Sequence, residues 1–284
     1  MRRFPVKPLA VYGLIKEMRT AVEDFRPLLV AGAPEPAGKI EAALVADGDP
    51  EAVRSLAGRT PTAYDLAGAE VLVYVIEGAS AGPGDGKVLR LADRHDVESV
   101  CVLFSAAAEL PDIPHVLATD VIVVRPGQEI PFDALADRIA DRAGDKGYVL
   151  AAKLPALRAA VCREIVRGFA RQNGILGAAI FIPGADLPVL TLNQIRMVLR
   201  LAAAYGEEID AERAVELLGV IGAGLGFRAL ARQALTVVPG PGWAIKGGIA
   251  YTGTLALGEA AVAYFESGGQ KLVRETLDSV RSRS

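Results

Sequence analysis

Four short runs of uninterrupted apolar residues constrain this chain more than anything else in it: Leu28-Leu29-Val30, Val71 through Ile76, Val100-Cys101-Val102-Leu103-Phe104 and Val121-Ile122-Val123-Val124. A strand with one face in water alternates polar and apolar side chains, whereas a continuous run covers both faces and demands burial on both sides. Helical patterns separate the runs, at Lys39 to Ala46, Lys87 to His95 and Phe132 to Arg142, and one more short strand is expected at Ala52 to Leu56. The pattern predicts a doubly wound α/β domain on a mostly parallel sheet. Ligands of such domains sit at the carboxyl ends of the strands.

Strand signals stop after Gly147. Tyr148 to Gly174 reads as helix, and Asp186 caps a second one from Leu187 to Tyr205 that Gly206 ends. Asn193, Arg196 and Arg200 form its single polar stripe, so most of its circumference is expected to be buried. Gly222 to Gly226 precedes Arg228 and Arg232, Pro239 to Gly242 makes a turn, and a small-residue helix follows from Trp243 to Phe265. Ala244, Gly248, Thr252 and Ala256 recur every four residues there, a spacing that lets helix backbones approach closely. The expectation is an all-α apolar bundle.

A length of 284 residues suits two domains. Charge divides them too: residues 1–150 hold 16 basic and 23 acidic side chains, residues 151–284 hold 15 and 11. The expected organisation is an N-terminal amphipathic helix over 1–25, the α/β domain over 26–147, the helical domain over 148–268 and a polar tail over 269–284. In the first of these Leu9, Leu14, Met18 and Val22 make the apolar side, docked on the core or lying on a membrane surface. Lys16, Glu17, Arg19, Glu23 and Asp24 break the apolar run, so it does not read as a secretory signal. Gln233 to Gly258 is the longest membrane-spanning candidate, but Lys246 in its middle and the Pro-Gly turn favour a bundle over a transmembrane hairpin.

A net charge of -3 supplies no basic footprint, and no nucleic-acid partner is expected. Cys101 and Cys162 read as reduced, buried thiols in a cytoplasmic setting. With His95 and His115 they form no ligand cluster, so no metal is expected.

Two glycine-lysine loops carry the candidate chemistry. Ala33-Pro34-Glu35-Pro36-Ala37-Gly38-Lys39-Ile40 approaches a phosphate-binding loop, in which Gly38 and Lys39 would meet the phosphates. Pro34 and Pro36 each remove an N–H from it, and Ile40 lacks the hydroxyl that holds magnesium. Ala81-Gly82-Pro83-Gly84-Asp85-Gly86-Lys87-Val88 repeats the near miss with Gly86 and Lys87, again with an apolar residue last. Asp65-Leu66-Ala67-Gly68 spells a nucleotide-switch signature but reads as helix and turn. After the third run, Ser105 to Ala108 offers no carboxylate to a guanine base. No catalytic residue stands out, since His95 reads as a helix-end partner, His115 as a loop residue, and no Ser, His and Asp grouping is visible.

The second half also resembles a known arrangement. Leu154-Pro155-Ala156-Leu157-Arg158, Ile182-Pro183-Gly184-Ala185-Asp186-Leu187-Pro188, Gln194-Ile195-Arg196-Met197 and Gly242-Trp243-Ala244-Ile245-Lys246-Gly247 look like an uncharacterised bacterial helical domain. That domain is similar to the C-terminal region of YcjF-type inner-membrane proteins and is fused behind Era-like or TrmE-like GTPase domains. The resemblance implies that Leu28 to Val30 is the phosphate-loop strand of a degenerate, non-hydrolysing GTPase-like domain. The expected function is therefore non-enzymatic, with no cofactor. The helical domain would self-associate, bind a protein partner or touch the inner face of a membrane through Arg196, Arg200, Trp243, Lys246 and Gly248. Two alternatives stay open: a switch using GTP or ATP with magnesium through Lys39 or Lys87, and an integral membrane protein with helical hairpins.

Overall fold

The computed structural model describes residues 8–107, 111–179, 187–207 and 242–268. Contacts divide the chain into two units, one of Ala21–Glu164 and one of Met1–Thr20 with Ile165–Ser284. The division falls inside a helix, 17 residues beyond the charge boundary at Gly147, and the N-terminal helix, α1 (Pro8–Glu23), contributes its first part to the helical unit.

The first unit is an α/β layer structure. Its strands β1 (Leu28–Gly32), β2 (Val53–Ala57), β3 (Val71–Glu77), β4 (Glu98–Phe104) and β5 (Val121–Val124) form one parallel sheet in the order β2-β1-β3-β4-β5. All four apolar runs and the extra short strand are strands, as their composition demands. Residues 71 to 76 are buried without exception, and so are 28 to 31. Full burial of one Val, Leu or Ile side chain contributes roughly 1.5–3 kcal/mol, so these central strands dominate the cohesion of the unit.

Helices α2 (Pro34–Val45), α3 (Ala63–Ala67), α4 (Pro83–Arg94) and α5 (Phe132–Ala143) connect the strands. Two of them start five and four residues before the positions expected from sequence. The prolines explain this: Pro34 and Pro83 occupy the first helical position, where a missing N–H costs nothing because that donor has no partner in a helix anyway. The stretch expected as one helix from Tyr148 is broken into α6 (Gly147–Lys153) and α7 (Pro155–Ala179), because Pro155 drives Leu154 out of the helical region, to φ -119 and ψ 88.

The helical unit contains most of α7, with α8 (Leu187–Ala204) and α9 (Gly242–Glu266). In α1 the buried stripe is Val11, Leu14, Ile15 and Met18, whereas Val22 is exposed. Asn173 of α7 donates to Thr254 of α9 at 2.9 Å and accepts from Asn193 of α8 at 3.0 Å, all three buried. A satisfied polar layer of this kind fixes which residues face each other, since a shifted register would strand buried amides. Among the described residues no helix is long and apolar enough to cross a membrane. The cap at Asp186, the segment Gly222 to Arg232, the turn residues Pro239 to Pro241 and the tail from 269 lie outside the described residues.

The close helix crossing exists, but not on the expected face. Gly247, not Gly248, meets α7: a Cβ on Gly247 would stand 2.9 Å from the Gly174 carbonyl and 3.0 Å from the Ala178 Cβ. A Cβ on Gly177 would stand 2.8 Å from the Ala250 Cβ, and one on Gly258 only 2.6 Å from Val166. Gly248 and Thr252 are exposed, and nothing lies within 4 Å of a Cβ on Gly248. The adjacent pair therefore separates packing from helix propensity. Gly248→Ala is expected to stabilise by about 0.5–1 kcal/mol. Gly247→Ala is expected to destabilise by about 1–3 kcal/mol in denaturant unfolding.

Candidate functional site

In the order β2-β1-β3-β4-β5 the chain reverses direction across the sheet between β1 and β3, and ligands of doubly wound sheets enter at the carboxyl ends beside that point. Both glycine-lysine segments arrive there. β1 ends at Gly32 with φ +109, and a Cβ on it would stand 2.0 Å from the Val75 carbonyl oxygen, so only glycine fits. The Ala33 amide then donates to that same carbonyl at 2.9 Å, and α2 begins at the next residue.

One residue between strand and helix leaves no loop to curl around a phosphate. Of the first donors of α2, Ala33 is bonded to Val75 and Pro34 and Pro36 have none. Gly38 and Lys39 lie in the second turn. The Lys39 ammonium contacts the Glu35 carboxylate at 2.8 Å, one helical turn back on an exposed face. That hydrogen bond holds the Glu35 carboxyl below its ordinary range and raises Lys39.

The second segment is organised by Asp85. Gly82 is the N-cap of α4, and its amide donates to one Asp85 oxygen at 2.7 Å while the Tyr74 hydroxyl donates to the other at 2.9 Å. A carboxylate in the first turn of a helix is favoured by the helix dipole and supplies acceptors to unbonded amides. Asp85 is thus the anion of this helix end. Burial, and then the bond to Asp85, push the Tyr74 hydroxyl well above its ordinary pKa. Gly86 and Lys87 follow in the second turn of α4 and do not form a loop.

The other sequence candidates are engaged structurally. Asp65 accepts from the Thr62 amide at 2.9 Å and its hydroxyl at 2.6 Å, which lowers its pKa, and Gly68 ends α3 as helix and turn. Ser105 is buried and accepts from the Ala107 amide at 3.1 Å. Cys101 in β4 is buried and free, and burial, then Asp85, pushes its thiol up to about 12, an unreactive value. Cys162 is also buried and forms no disulfide among the described residues. In the helical unit Arg196 pairs with Glu17 of α1 at 3.1 Å. Arg200, expected on a contact surface, is buried, 3.9 Å from Glu17 and with its guanidinium 5.5 Å from the Phe169 ring centre. Lys246 is exposed, Gly248 faces open space, and the Trp243 side chain lies outside the described part.

One feature escaped the sequence reading altogether. A cavity of about 630 Å³ opens at the amino ends of β4 and β5, lined by Asp93 and Asp96 at the end of α4, Glu98, Asp112, His115, and the Asp120–Arg142 pair. The His115 ring nitrogen is 3.1 Å from Asp93. Arg142 reaches Asp120 at 2.9 Å and Glu98 at 3.1 Å. Burial opposes its charge, but the two carboxylates outweigh burial and raise its pKa. A sequence signal was present: Asp93, Asp96 and Glu98 crowd the end of a helix, where the dipole disfavours anions.

No protein-family model matches the chain, and no curated protein is significantly similar to it.

If Asp85 is the internal anion of α4, its removal leaves the Gly82 amide and the half-buried Tyr74 hydroxyl without their acceptor. Asp85→Ala is expected to lower unfolding stability by about 1–3 kcal/mol. In the Tyr74→Phe background the loss should be smaller, because part of it is shared between the two residues.

Proposed function

We propose that this chain is a pseudo-GTPase-like protein, with an α/β unit that keeps a doubly wound scaffold without phosphate-binding chemistry and a helical unit that supplies its contacts. The observation that carries the reading is the state of the two helix starts beside the reversal point. At α4 the Asp85 carboxylate accepts the Gly82 amide, and at α2 the two prolines and the Ala33–Val75 bond take three of the first four donor positions, leaving Glu35. A nucleotide phosphate would have to displace Asp85 or approach it, anion against anion. Lys39, the cation nearest a phosphate position in the first segment, is already paired with Glu35.

The resemblance of the second half to the helical domain of YcjF-type proteins supports the rest of the reading. Contact with a second copy, a protein partner or the inner face of a membrane would fall to this unit, on which Ile175, Val189, Ile249 and Tyr251 are exposed. Lys246 and Gly248 share that outer side of α9, whereas Arg196 and Arg200 act inside the unit by holding Glu17.

Each missing charge-assisted hydrogen bond to a phosphate forfeits roughly 1.5–3 kcal/mol, and several are missing here. Titration calorimetry of the full chain with GTP or ATP and magnesium is expected to show no site tighter than about 10 µM, an affinity of roughly -7 kcal/mol. Tighter binding that is lost in Lys39→Ala or Lys87→Ala would overturn the proposal in favour of a nucleotide switch.

A further inference from the structure

Between Lys246 and Glu259 the helix α9 carries no charged residue on any side. A helix that is apolar around its whole circumference belongs in an environment that covers all of it. Its inner side is covered: Gly247 and Ala250 meet Gly177 and Gly174 of α7, and Thr254 is bonded to Asn173. Its outer side is open to water. Ile249 is 48 % exposed and Thr252 is exposed beside it, with Ala256 half-buried one turn further on, and the three share one stripe at helical spacing. The single hydroxyl in that stripe, on Thr252, donates back to the Gly248 carbonyl at 2.8 Å, so its proton is satisfied within the helix. An apolar surface is left, and Tyr251, 39 % exposed where it packs over Gly174, widens it toward α7.

The charges that bound the stripe select what covers it. Lys246 and Glu259 are both exposed, and neither side chain has an ion-pair partner among the described residues. Lys246 lies six residues before Thr252 and Glu259 six residues after Gly253, so the two charges stand at equal distances from the middle of the stripe. Two copies of α9 that cross antiparallel at that middle bring each Lys246 level with Glu259 of the other copy. A two-fold axis repeats the pairing at both ends. A parallel crossing sets like charge beside like, and hydrocarbon leaves both charges unanswered. The surface is thus complementary to itself in charge as well as in its apolar middle.

We infer, on the reading that the helical unit supplies the contacts of this chain, that the outer stripe of α9 is the seat of a two-fold dimer. It packs on the same stripe of a second copy and is closed at each end by a Lys246–Glu259 pair between the copies.

Sedimentation velocity of the full chain, from low micromolar concentration upward, is expected to show conversion from the mass of one chain to that of two. Lys246→Glu and Glu259→Lys each turn two attractive pairs into two repulsive ones, and each is expected to weaken the dimer about tenfold. Combining them restores the pairing and should return the affinity to within about threefold of the parent, a recovery that no folding defect can produce. Thr252→Glu, which sets two carboxylates against each other at the axis, should abolish the dimer while the circular dichroism of the chain stays unchanged. A chain that remains single at every concentration would overturn the inference, as would a dimer that Thr252→Glu and both charge reversals leave intact. Binding of a monomeric chain to vesicles of anionic lipid, lost in Thr252→Glu, would also refute the dimer while leaving the contact role of the helical unit standing. The nucleotide titration, independent of these variants, decides whether the reading of the α/β unit fails.

Discussion

Burial of β1 and β3 on both faces is the constraint on which the α/β unit rests. Two strands with no polar face must be covered above and below, and only helices returning across the sheet can do that while keeping the strands parallel. The covering helices then start close to the strand ends. β1 passes to α2 through a single residue, and Gly32 lies so near Val75 that its α-carbon can carry no side chain. Tight closure at this edge is good packing, and it removes the room that a phosphate loop requires.

The same economy appears in the electrostatics of the edge. Glu35 stands in the first turn of α2, Asp65 in that of α3 and Asp85 in that of α4, each supplying negative charge to a helix start. Asp65 and Asp85 also accept the backbone amides of the residues that open their helices, Thr62 and Gly82, closing a capping box, whereas Glu35 is paired with Lys39. The acidic cavity inverts that pattern. Its Asp93 and Asp96 sit at the end of α4 that the helix dipole makes unfavourable for anions, with His115 beside Asp93 and Arg142 beside Asp120.

What could be read in the sequence divides along the same physical lines. Strand positions were legible because burial on both faces leaves an unbroken apolar run, here rich in β-branched residues and too short for a helix. Helix starts at Pro34 and Pro83 were not, because proline is a signature of both loops and first turns and only the neighbouring strand end decides between them. The small-residue face of α9 was legible as a close crossing but not in its phase. Gly247 and Gly248 are adjacent, a second small-residue series runs through Ala250, Thr254 and Gly258, and the choice is made by Gly174 and Gly177 on a helix some seventy residues away. Arg200 was placed outside for a similar reason: its burial depends on Glu17 and Phe169. The cavity was hidden because it is assembled by the return of residues 112 to 142 to the end of α4, a tertiary fact with no local trace beyond the crowded acids.

The central claim is that the reversal-point edge is occupied by the protein's own groups, with Asp85 standing where a phosphate would go. Amide hydrogen exchange of the full chain, followed at Gly82, Gly84, Asp85 and Gly86 with and without millimolar magnesium GTP, tests it directly. The account predicts the same exchange rates in both conditions, since the Gly82 amide is already bonded to Asp85 and no ligand arrives. Slowed exchange confined to these residues on adding the nucleotide would contradict it, because it would show phosphate taking up donors that the Asp85 carboxylate is held to satisfy.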